Sequence, residues 1–90
     1  MNHLVKIKKI QILENYQIYF LFDDGTEKII DFKPYIKNDP LTSMLADVNF
    51  FNQVKVYENG RGIYWPNDYD FCPDTLRYYI EPVHEVVNHN

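Results

Sequence analysis

The feature that most constrains this chain is an alternating run from Tyr16 to Phe22 (YQIYFLF), closed by DDGT and followed by a second apolar run to Phe32. Tyr16, Ile18, Phe20 and Phe22 recur at every second residue, a spacing that shares one face only in an extended strand. Aromatic and β-branched side chains suit a pleated, half-buried surface. The segment therefore needs strand partners, and the flanking sequence offers them. Asp24-Gly25 predicts a two-residue hairpin turn, because both central positions accept positive φ. The next strand runs to about Phe32, with Ile30 and Phe32 facing one way and Asp31 the other. Upstream, Ile10 and Ile12 alternate with Gln11, although the pattern slips between Ile7 and Ile10, and Glu14 and Asn15 offer the intervening turn. An antiparallel three-stranded meander follows from these signals.

After Phe32 the period changes. Asp39 can cap a helix with Pro40 in its first position, and Leu41, Met44, Leu45 and Val48 recur at i, i+3, i+4 and i+7, which predicts a short amphipathic helix. Asn49 to Gln53 read as its exit, with Phe50 or Phe51 folding back on the core. Val54 and Val56 then alternate with Lys55 and Tyr57, Asn59-Gly60 supplies a turn, and Ile63 and Trp65 flank Tyr64, giving a second hairpin that Pro66 ends. A last helical turn or two starts near Pro73, with Leu76, Tyr79 and Ile80 on one face, and stops before Pro82. The expected architecture is α+β: a largely antiparallel sheet of about five strands, the meander plus the second hairpin, with two short helices on one face. Residues 1–82 form one small domain in this reading, and 83–90 are a tail, either frayed or an added edge strand.

Ninety residues leave little surface to hide, so the fifteen aromatic side chains must supply much of the core. With one cysteine, Cys72, no intrachain disulfide is possible. No segment has the order of a secretory signal or the roughly 20 apolar residues of a membrane span. A soluble protein of a reducing cytoplasm, with no membrane association, is expected. Lys6, Lys8 and Lys9 are the basic residues of the first ten, while residues 11–90 set six Lys and Arg against thirteen Asp and Glu. That balance disfavours direct nucleic-acid binding, which needs a clustered basic face to track phosphates.

Chemistry has few places to reside. His84 and His89 are five apart, which on a helix turns their rings about 140° away from each other, so they do not share a metal ion. Cys72 precedes Pro73 and could sit near a helix start, where a thiol pKa falls. No histidine lies between Leu4 and Val83 to serve as its base, however, and the residue reads better as a small, partly buried wall of the core. Gly25, Gly60 and Gly62 are taken by the hairpins, so no phosphate-cradling loop is present. Asp68, Asp70 and Asp74 beside Tyr64, Trp65 and Tyr69 could run acid–base work or hold a hard cation. The simpler reading gives each carboxylate a turn or helix-start role. No catalytic residue, cofactor site or metal site is assigned.

Taken in order, YFLFDDGTEKIIDF, PLTSMLADVNFFNQVKV and GIYWPNDYDFCPDTLRYY resemble the bacterial domain of unknown function 2442. Phe22, Asp24, Gly25, Asp31, Phe32, Trp65, Pro66, Asn67, Asp70 and Pro73 fall where the family pattern places them. Asp68 and Tyr69 stand where the family usually has a glycine region, a departure at the loop after Asn67. The resemblance implies a small α+β domain without an established activity, often encoded beside another small protein in an arrangement similar to toxin–antitoxin pairs.

Two functional readings follow. The first is a non-catalytic protein-interaction module, paired with a small protein encoded nearby or with a second copy of itself. Its candidate surface comprises Tyr19, Tyr57 and Tyr64, which alternate against core positions, together with Trp65, Asp68 and Asp70. The alternative is a small-ligand domain or enzyme with a pocket around Trp65, Asp68, Asp70 and Cys72. Transcriptional regulation through DNA is a weaker third, given the acidic balance.

Overall fold

The computed structural model describes residues 4–83. Among these residues there are six strands: β1 (Ile7–Ile12), β2 (Gln17–Phe22), β3 (Glu27–Asp31), β4 (Lys55–Val56), β5 (Ile63–Tyr64) and β6 (Asp70–Phe71). They form two antiparallel three-stranded sheets, ordered β1-β2-β3 and β4-β5-β6. The α+β class and the antiparallel meander stand as read. The second hairpin does not simply extend the first sheet: the chain after Pro66 returns as β6, pairing Phe71 with Ile63 and Asp70 with Tyr64.

In the first sheet Ile18, Phe20 and Phe22 are buried, and Ile10, Ile12, Ile30 and Lys28 lie opposite them on the same face. The slip in the sequence pattern is a register shift between Ile7 and Lys9. A bulge with lysines around it is a common guard on an edge strand, since it spoils the template for a further strand. The turn at Asp24-Gly25 differs from the expected two-residue type. Gly25 alone takes positive φ in DDGT, its N–H donating to the Phe22 carbonyl at 3.0 Å and Phe22 N–H to Thr26 at 2.9 Å. That is a three-residue loop with a glycine bulge. Between β1 and β2 both Asn15 (φ 65°) and Tyr16 (φ 61°) are left-handed. Tyr16 thus belongs to the turn and not to the strand face. Its ring packs edge-on against Phe51 at 5.2 Å, and its hydroxyl donates to the Ala46 carbonyl.

Asp39 starts the next segment as expected, its carboxylate accepting from the Leu41 and Thr42 N–H groups at 3.0 and 2.7 Å. The segment is then a 3₁₀ helix, Thr42–Ala46, and not the α-helix predicted to run to Val48. In 3₁₀ geometry side chains three apart eclipse. Thr42 and Leu45 therefore turn inward, while Leu41 and Met44 are exposed. Asp47 caps afresh, accepting from Asn49 N–H at 3.0 Å, and the helix α1 (Val48–Phe51) occupies the stretch read as an exit. The last helix begins at Pro73 but continues as a π-helix, Thr75–Tyr79. Leu76 and the extended residue Ile80 that follows the helix are buried while Tyr79 is 80% exposed, contrary to the shared face predicted for the three.

A single apolar cluster draws on both sheets, from Val5 to Ile80. Phe32 is its hub, with ring centroids of Phe20, Phe51, Trp65 and Phe71 at 6.3, 6.2, 5.8 and 5.3 Å. Each fully buried ring contributes on the order of 1.5–3 kcal/mol, which is how so short a chain is held without staples. The sheets are stitched where Ile7 N–H donates to Gly60 at 2.8 Å and the Arg61 guanidinium donates to the Val5 carbonyl at 2.7 Å. Lys28, opposite Phe20 on the inner face, extends its ammonium to the Leu76 and Arg77 carbonyls at 2.7 and 3.0 Å. It thereby caps the C-terminal turn of the π-helix, while burial pulls its pKa down. Beyond Pro82, Val83 N–H donates to the Ile29 carbonyl on edge strand β3 at 2.8 Å. The alternatives for the tail lie, from His84 on, outside the described residues. Among the described residues no helix is long and apolar enough to cross a membrane.

Candidate functional site

Tyr64 is the middle residue of a cross-strand row, paired with Lys55 on β4 and Asp70 on β6. Tyr57 follows β4 directly, its N–H donating to the Gly62 carbonyl at 2.9 Å, and its ring stacks on Tyr64 with centroids 4.5 Å apart. The Tyr57 hydroxyl donates to the Asp70 carboxylate at 2.9 Å. That bond first, then burial and the negative charge of Asp70 and Asp68, raise the Tyr57 pKa above the ordinary phenol value. Tyr57 is exposed and Tyr64 half-buried. The structure thus joins Tyr57, Tyr64 and Asp70 into one aromatic and acidic patch on the second sheet.

Asp68 borders this patch at the tip of a turn, its N–H donating to the Trp65 carbonyl at 2.9 Å while Trp65 N–H donates to Tyr69 at 2.9 Å. Its φ of 71° lies in the left-handed region that glycine adopts most readily. Asn67 fixes the turn: its side-chain oxygen accepts from Tyr69 N–H at 3.2 Å and its amide donates to the Leu41 carbonyl at 2.9 Å.

Two members of the sequence-read set are elsewhere. Trp65 is fully buried, its indole N–H donating to the Phe51 carbonyl at 2.9 Å, so its ring belongs to the core and is not offered to a partner or ligand. Alternation placed it correctly with Ile63; grouping it with the surface followed from its proximity to the aspartates. Tyr19 lies on the first sheet, paired with Gln11 and Ile29, and its hydroxyl donates to Glu27 at 2.6 Å, the bond that most raises its pKa. It is therefore not part of the Tyr57–Tyr64 patch. Cys72 is exposed, contrary to its reading as a partly buried wall, with its sulfur 3.2 Å from the Thr75 hydroxyl. That hydrogen bond, followed by one to the Thr75 backbone, draws the thiol pKa down.

Other exposed groups were missed. Tyr78 and Tyr79 stand out from the π-helix, and Leu41 and Met44 are exposed beside Asn67, with Val48 exposed beside the β1–β2 turn. The helical periodicity assigned Leu41, Met44 and Val48 to the buried face; only the interruption by Asp47, a second capping residue, signals otherwise. Among the described residues no group of three or more His, Cys, Asp or Glu could hold a metal ion. His3, His84 and His89 lie outside them.

The model of one protein family, described as "Protein of unknown function (DUF2442)", matches residues 7–82. That span includes both sheets and all of the patch. No curated protein and no solved structure matches the chain.

Proposed function

We propose that the chain, which belongs to the DUF2442 family, is a non-catalytic protein-interaction module that meets its partner with the Tyr57–Tyr64–Asp70 face. The observation that supports this reading is the tyrosine pair, stacked at 4.5 Å and tied through the Tyr57 hydroxyl to Asp70. Tyrosines held in one conformation before binding lose little side-chain entropy on association, and they are among the residues that dominate interface energies. The partner in this reading is a small protein encoded nearby, as in toxin–antitoxin-like pairs, or a second copy of the chain. The setting is a reducing cytoplasm, consistent with a lone exposed cysteine. The acidic balance of residues 11–90 argues against direct nucleic-acid contact.

Tyr64→Asp tests the reading. Light scattering on the purified chain detects self-association, and copurification with the product of a neighbouring gene detects a pair. At an interface anchor the substitution should weaken whichever association is found by at least about thirtyfold, the equivalent of roughly 2 kcal/mol. Circular dichroism should show the fold retained. Association unchanged by Tyr64→Asp and by Tyr57→Ala would refute this face as the contact.

A further inference from the structure

We draw no further inference here: the strongest candidate, the outer edge of β3 where the Val83 N–H already bonds the Ile29 carbonyl, is a strand edge on which nothing in the structure shows what pairs next.

Discussion

Replacing Gly62 by alanine probes how closely the β4–β5 hairpin approaches β6. Gly62 has φ +136°, and a β-carbon built there would meet the Phe71 carbonyl oxygen at 2.5 Å. The backbone conformation alone costs an alanine about 1–3 kcal/mol. The overlap costs about as much again, because the clashing atom is main chain of β6 and can move only by disturbing the Ile63–Phe71 pairing. Gly25 is the internal control: its φ is +88°, but nothing lies within 4 Å of a β-carbon there. Gly25→Ala therefore carries the strain without the clash, and the loss of unfolded-state freedom that accompanies any Gly→Ala change is common to both. The difference between the variants is then about 1–3 kcal/mol, or roughly 4–24 °C in melting temperature for a domain of this size. Thermal unfolding followed by circular dichroism, with urea titration to check that the m-value is unchanged, measures it. Equal melting temperatures for the two variants would refute the close approach of the β4–β5 hairpin to β6.

Trp65→Phe should lower stability by about 2–4 kcal/mol, from the lost indole bond to Phe51 and the space left in the core; a change below 1 kcal/mol in urea unfolding would put the ring at the surface after all. Asp68→Gly should be neutral to stabilising by up to about 1 kcal/mol, since relief of the left-handed conformation offsets the entropy glycine adds to the unfolded chain; a clear loss in the same assay would mean that the carboxylate itself holds the turn. Stability should fall at both ends of the pH range. The Asp24 and Asp39 carboxyls are held below 3.8, chiefly by backbone N–H bonds from Thr26 and Thr42, so their contribution is present above that pH and lost as pH falls through the lowered values. Tyr19, Tyr57 and Tyr69 are raised above 10.0, so theirs is present below pH 10.0 and lost as pH rises through the raised values. Lys28, with its pKa lowered from 10.5, opposes the alkaline loss, gaining stability as pH rises toward 10.5. Melting curves across pH should show Tyr57→Phe flattening the alkaline limb and Asp39→Asn the acid one, and limbs unchanged by either variant would refute these assignments.

The first sheet was legible because its signals are local. A period of two at Ile18, Phe20 and Phe22 fixes which face is buried, whatever the rest of the chain does. Even the bulge appeared in the sequence, as the slip between Ile7 and Ile10. The Asp24-Gly25 turn was placed correctly and typed wrongly, because Asp-Gly fits both a two-residue turn and a longer loop in which glycine alone is left-handed. The choice depends on where the flanking strands stop pairing, which is a property of two segments and not of one. The helices failed for a related reason. Leu41, Met44, Leu45 and Val48 satisfy an α-helical period, but Leu45 alone of the four is buried. Asp39 and Asp47, eight residues apart, each capture nearby backbone N–H groups, and the segment between them is too short to develop an α-helix.

The surface patch illustrates what alternation can and cannot deliver. It assigns Tyr57 and Tyr64 to the side opposite Val56 and Ile63, and the burial of those strands agrees. It says nothing about which exposed residues meet, because that depends on β6 pairing back onto β5 through the turn at Asn67 and Asp68. Once Asp70 is opposite Tyr64, the distance to the Tyr57 hydroxyl closes, and two tyrosines and a carboxylate six or more positions apart become one connected patch. The same pairing separates Trp65 from Asp70, since neighbours along a strand point to opposite faces, and Trp65, one residue past Tyr64, follows the core side. The cluster of aromatic and acidic residues between Gly62 and Ile80 therefore divides in two. Ile63, Trp65, Pro73 and Leu76 build the interior, and Tyr57, Tyr64 and Asp70 form the row that the strand period turns outward.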